Sequence, residues 1–211
     1  MSLKFTEKIN QHTQIGIWQI EETIDWFLSG LKLSTVEKDV YESFVNEHRK
    51  KQWLSYRCLL RAIIRDIPVN VEYDEHRKPF IRNHRGNISV SHAGEYSAVI
   101  LSDKHQVGID IEKITPRIEK IACRFLSNAE EDFIQEAERL KYLYIIWGAK
   151  EALYKLYGKR NLDFQKQIRI QPFDLEKEAI FTGSIINGSN SLETLLFYRF
   201  IDDYVLVYTL V

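Results

Sequence analysis

Trp147-Gly-Ala-Lys150-Glu151-Ala-Leu-Tyr-Lys155 lies inside Leu140 to Tyr157, a run without proline and with a single glycine, rich in Leu, Ala, Lys, Glu and Tyr. That composition predicts a helix. Leu140, Leu143, Trp147 and Tyr154 share one face at helical spacing, and Ile145, Ile146, Leu153 and Leu156 cover much of the rest. A helix apolar nearly all round is a buried one. Glu151 therefore sits on a mostly buried helix, where a carboxylate must be paired or must hold a metal. The plainest pairing is with Lys155, at the favourable i, i+4 spacing.

A second acidic pair lies upstream, in Val107-Gly108-Ile109-Asp110-Ile111-Glu112. The alternation predicts a strand with both isoleucines on one face and both acids on the other, the acids about 6–7 Å apart along the chain. Like charges that close repel unless a positive group lies between them. A hard divalent cation satisfies that need, and Mg²⁺ requires few carboxylates when water and phosphate oxygens complete its shell. Gly108 allows a ligand or another backbone to approach closely. The competing reading is an edge strand whose acidic face is in water.

The surrounding chain of 211 residues has an ordinary soluble composition and a net charge of −1, which argues against a general nucleic-acid or membrane-surface binder. Between Arg49 and Arg85 ten Lys/Arg face four Asp/Glu, a local excess of six positive charges suited to a small phosphorylated ligand. Two cysteines without metal spacing, no leader and no apolar run long enough to span a bilayer point to a reducing cytoplasm. Ile15 to Ile20 alternates as a strand, and Ser34-Thr-Val-Glu37 is a capping box opening a helix. Helices are expected over about residues 35–47 and 49–66, the second ended by Pro68 and carrying Lys50, Trp53, Arg57, Arg61 and Arg65 near one face. Strands are expected at 69–73, 88–91, 96–101 and 107–112, with polar turns at 74–79 and 103–106. Ser127-Asn-Ala-Glu130 is another capping box, and residues 168–170, 179–182, 192–200 and 204–210 read as strands. Helices then strands, twice over, suggest two similar α+β halves, 1–105 and 106–211, although no residue-level repeat is evident.

Together the two motifs resemble the signatures of the 4′-phosphopantetheinyl transferases. The matching residues are Gly108-Ile-Asp-Ile-Glu112 and Trp147-x-x-Lys150-Glu151-Ala-x-x-Lys155. Arg77-Lys78-Pro79, Asn87-Ile-Ser-Val-Ser91-His92 and Arg124-Phe125-Leu-Ser-x-x-Glu130 resemble three further family segments, with Arg77 where the family carries glycine. The length resembles the pseudodimeric, surfactin-synthetase-activator type.

The resemblance implies a pseudo-twofold α+β fold with one site at the interface of its halves. It implies transfer of the phosphopantetheine arm of coenzyme A to a serine of an apo acyl or peptidyl carrier protein, releasing adenosine 3′,5′-bisphosphate. Asp110, Glu112 and Glu151 would hold Mg²⁺ or Mn²⁺, and Glu151 and Lys155 would be catalytic. Arg49, Lys78, Pro79, Ser91, His92 and Lys155 would contact coenzyme A. The early basic pair for the 3′-phosphate does not map cleanly, since Glu37 and Val40 fall near those positions. The carrier would dock near residues 115–125 and the following helix, and a monomer is expected. Two alternatives stand beside this one: a non-catalytic carrier-binding relative, and another Mg²⁺-dependent phosphohydrolase.

Overall fold

The computed structural model describes residues 2–64, 69–82, 84–159, 161–175, 178–188 and 190–211. The chain divides into two compact units, Met1–His105 and Gln106–Val211. Both mix helices with antiparallel strands, so the α+β class expected from the sequence holds.

The first unit opens on a hairpin of β1 (Leu3–Asn10) and β2 (Thr13–Gln19). Helices α1 (Ile24–Gly30), α2 (Thr35–Ser43) and α3 (Glu47–Ile63) follow, then β3 (Val71–Tyr73), β4 (Pro79–Ile81), β5 (Asn87–Ala93) and β6 (Tyr96–Ser102). The main sheet runs β1-β2-β6-β5, and β3 pairs with β4 separately. Trp18, Phe27, Trp53, Leu54, Leu60 and Val99 form the core.

Glu37 fastens this unit together. Ser34 Oγ accepts from Glu37 N (3.3 Å), and Glu37 Oε2 accepts from Ser34 N (3.1 Å), completing the capping box. Its other oxygen accepts from Arg57 Nε at 3.1 Å and from Val71 N at 3.4 Å. Arg57 is buried, with its guanidinium 3.3 Å above the centre of the Trp53 ring. Arg57 is thus the buried member of the set that helical spacing put near one face, whereas Arg61 is exposed. Arg65 and Pro68 lie outside the described residues.

The second unit starts with β7 (Val107–Lys113) and passes through a 3₁₀ turn, Pro116–Ile121. Two single-turn helices follow, α4 (Ala122–Phe125) and α5 (Asn128–Glu131), then α6 (Arg139–Tyr157), which Gly158 closes in the left-handed conformation at φ 69°. Strands β8 (Ile168–Ile170), β9 (Glu178–Asn187), β10 (Asn190–Ile201) and β11 (Tyr204–Leu210) complete an antiparallel sheet of order β7-β11-β10-β9-β8. Leu143, Ile146, Ala149 and Leu153 of α6 form its core with Val205, Val207 and Leu196.

The same fastening recurs here. Ser127 and Glu130 form a reciprocal capping box, and Glu130 then accepts from Lys150 Nζ at 2.7 Å and from Ile170 N at 2.9 Å. Lys150 is 0% exposed and also donates to Phe125 O (2.6 Å) and Phe164 O (2.8 Å). Ser34, Glu37 and Arg57 thus answer to Ser127, Glu130 and Lys150, each 93 residues on (127 − 34, 130 − 37, 150 − 57). A glycine matches too. A Cβ on Gly16 would press on Leu59 and Ile63, and one on Gly108, 92 residues on, would press on Ala152 and Leu156, each 93 residues on. The spacing thus recurs in a few contact residues, without runs of identity. The expected order needs one correction: each unit opens on a strand before its helices.

Removing one partner of a buried ion pair strands the other, so Arg57→Met is expected to lower stability by about 3–5 kcal/mol. Urea denaturation reads this directly, and pairing the change with Glu37→Leu should recover part of the loss. Gly108→Ala should cost about 1–3 kcal/mol or more, because its Cβ would fall 1.9 Å from the backbone oxygen of Ala152, which cannot rotate away.

Candidate functional site

Gly108, Asp110 and Glu112 alternate onto the face of β7 that meets α6. Gly108 abuts Ala152, Asp110 bonds Lys155, and Glu112 bonds Trp147. Ile109 and Ile111 take the opposite face and are also buried. The reading of an acidic face in water is therefore wrong: Asp110 is only 3% exposed. Along α6, Trp147, Glu151 and Lys155 follow at intervals of four, which keeps them on one side of the helix. Between them Gly148 lets β11 close in, since a Cβ there would sit 2.9 Å from Val207 and 3.7 Å from Asp110 Oδ2.

Lys155 reaches across to the strand. Its ammonium lies 2.7 Å from Asp110 Oδ1 and 3.0 Å from Ile109 O. The i, i+4 partnership expected with Glu151 thus gives way to a pairing between helix and strand. Trp147 Nε1 donates to Glu112 Oε1 at 3.1 Å.

The acids are strained as charges. Burial pushes Glu112 up to about 7, the negative charges of Asp110 and Glu151 add to it, and the Trp147 bond and Lys155 oppose it. Burial likewise pushes Glu151 up to about 7, with Asp110 adding and Lys155 opposing. Glu112 and Glu151 both respond to Asp110 and Lys155, so the four groups share one electrostatic neighbourhood. Hard oxygen donors under mutual repulsion suit a hard divalent cation. Among the described residues, no three His, Cys, Asp or Glu side chains are gathered closely enough to hold an ion outright. The carboxylates would supply part of a coordination shell, as Mg²⁺ commonly requires.

The remaining residues singled out from sequence lie in the first unit. The Arg49 guanidinium donates to the His92 ring and lies over Phe44. Ser91, the neighbour of His92 in β5, is buried. Lys78 and Pro79 close the β3–β4 turn, where Asp74 Oδ1 accepts from His76 N (2.9 Å) and Lys78 N (2.8 Å). Arg77 adopts φ 66°, the left-handed conformation glycine takes without strain, so the turn keeps a glycine-like backbone despite the arginine. Burial lowers the Lys78 ammonium below its ordinary value, with Asp74 opposing.

Two elements of this site escaped the sequence reading. One is the indole bond to Glu112. The other is the fastening of Lys150 to Glu130, which fixes α6 one residue from Glu151. The second was legible: each Ser-x-x-Glu box is followed by a basic residue 20 positions after its glutamate (57 − 37, 150 − 130).

Residues 106–209 match the 4′-phosphopantetheinyl transferase superfamily. This unit, just under half of the chain, is what is similar to that superfamily. The 4′-phosphopantetheinyl transferase AcpT of Escherichia coli (strain K12) is 34% identical over 119 residues, 52% of this chain and 59% of the relative. The 4′-phosphopantetheinyl transferase gsp of Aneurinibacillus migulanus is 27% identical over 195 residues, 86% of this chain and 78% of its own. The L-aminoadipate-semialdehyde dehydrogenase-phosphopantetheinyl transferase of Rattus norvegicus is 24% identical over 218 residues, 90% of this chain and 70% of its own. The match with AcpT thus spans about three fifths of that relative's length. Among the described residues no helix is long and apolar enough to cross a membrane.

A carboxyl raised by folding adds stability below its unfolded pKa, and that stability is lost as pH rises through the folded pKa. Without divalent cation, Glu112 and Glu151 should therefore withdraw stability between about pH 4.5 and 7. Thermal melts of wild type and Glu112→Gln should converge at pH 5, with the variant becoming relatively more stable by pH 8. Added Mg²⁺ should reduce that advantage at pH 8 and not at pH 5.

Proposed function

We propose that this protein transfers the 4′-phosphopantetheine arm of coenzyme A to a serine of an apo acyl or peptidyl carrier protein. What supports this reading is the electrostatic neighbourhood that Asp110 and Glu112 of β7 share with Glu151 and Lys155 of α6, in the unit matched to the superfamily. The names of AcpT, gsp and the rat relative support it. In this proposal the halves 1–105 and 106–211 are a pseudo-twofold pair. The constant offset between their fastenings supports that relation. The protein works as a cytoplasmic monomer, without nucleic acid or membrane.

Asp110, Glu112 and Glu151 would hold Mg²⁺ or Mn²⁺, which when bound draws charge from pyrophosphate oxygens. Glu151, raised toward neutrality by burial, takes the proton from the carrier serine, directly or through water. The serine oxygen then forms its bond to the β-phosphorus of coenzyme A. The bond from that phosphorus to the bridging oxygen breaks, and adenosine 3′,5′-bisphosphate departs with the electron pair. Lys155, already held beside Asp110, stabilises charge developing on the phosphates. Arg49, Ser91 and His92 receive coenzyme A phosphates, and Lys78 and Pro79 lie by the adenine.

Mass spectrometry of an apo carrier incubated with the protein, coenzyme A and Mg²⁺ tests the proposal. The carrier should gain one phosphopantetheine arm, and a chelator should prevent it. Glu151→Gln keeps the shape and removes the charge, so turnover should fall about 10²–10⁴-fold with the fold intact. Undiminished turnover in that variant would remove Glu151 from the chemistry.

A further inference from the structure

We propose that Trp147 is a positioning residue that aims the Glu112 carboxylate at the cation, a step that rests on the function proposed above. An indole N–H can only donate, and here it lies 3.1 Å from Glu112 Oε1. The ring has little freedom to swing away. It packs against Phe125 with centroids 5.1 Å apart and against Phe164 at 5.6 Å, and the adjacent Gly148 draws α6 close to β11. A hydrogen bond from a fixed ring to one carboxylate oxygen sets the plane of the carboxylate, and with it the direction of the second oxygen.

The chemistry of the donor matters. Asp110 is held by an ammonium, which competes with a metal for the same charge. Glu112 is held by a neutral donor, which orients it and leaves its negative charge for an ion. Such outer partners fix the geometry of metal-ligating side chains.

The first unit supplies an internal comparison. Gly16 and Gly108 set β2 against β7, so Glu112 corresponds to Ile20 (112 − 92) and Trp147 to Leu54 (147 − 93). Leu54 is fully buried in its own core. The fold is therefore satisfied by aliphatic residues at both places. The indole and the carboxylate occur together in the unit that carries the acids, as a donor matched to its acceptor.

The test measures metal uptake apart from turnover, by following the electron paramagnetic resonance of free Mn²⁺ in the presence of saturating coenzyme A. Two full-length variants are compared with wild type: Trp147→Phe, and a benzothienylalanine isostere that keeps the ring's shape while sulfur replaces the N–H. Both should bind Mn²⁺ about 10–100-fold more weakly. The isostere should melt within a few degrees of wild type, which separates aiming from packing. If the isostere takes up Mn²⁺ as wild type does, Trp147 only fills space and the inference fails alone. If wild type itself takes up no Mn²⁺ with coenzyme A, the proposed cation chemistry fails and the inference with it.

Discussion

Everything at the site depends on where α6 is pinned, and the pin is a buried lysine. Lys150 gives its three protons to Glu130 and to the backbone oxygens of Phe125 and Phe164, so the ammonium is satisfied without water. Glu130 in turn caps α5 and accepts from the backbone of β8. One ion pair therefore ties together the connection before α6, the loop after it and a strand at the far end of the sheet. Such a pair contributes little net stability against an apolar replacement, but it tolerates only one arrangement of its neighbours. Trp147, Glu151 and Lys155 flank that pin on the same helix.

This explains why a motif of nine residues mixes two kinds of demand. Lys150 serves the fold, as Arg57 does in the first unit. Glu151 and Lys155 serve the proposed site. Their counterparts 93 residues earlier are Cys58 and Ala62, neither of which can carry the same charge. The two units thus differ where charge is concentrated. The second carries carboxylates that burial and mutual repulsion hold near neutrality in pKa. That arrangement is costly without a cation and has a plain use with one.

Much of this was legible in the chain. Period-two alternation exposed β2, β5, β6 and β7, and the apolar wrap of residues 140–157 exposed α6. The capping boxes at Ser34 and Ser127 announced helix starts, although the second helix runs for only one turn. The strand β1 was missed because Leu3-Lys-Phe-Thr-Glu-Lys lies at the sheet edge, where polar residues face water and the alternation is weak. The burial of Arg57 was not legible, because helical spacing tells which residues share a face and not what covers that face. At the candidate site, the residue types and spacings singled out the acids and Lys155. They could not give the partnership of Lys155 with Asp110, which arises from the close approach that Gly108 permits.

The most direct trial of this account is anomalous diffraction from crystals of the protein grown with coenzyme A and Mn²⁺. The account predicts one strong Mn peak with carboxylate oxygens of Asp110 and at least one of Glu112 and Glu151 within coordination distance, about 2.0–2.3 Å. A coenzyme A molecule bound with no Mn peak at these three side chains, or with the peak elsewhere, would contradict it.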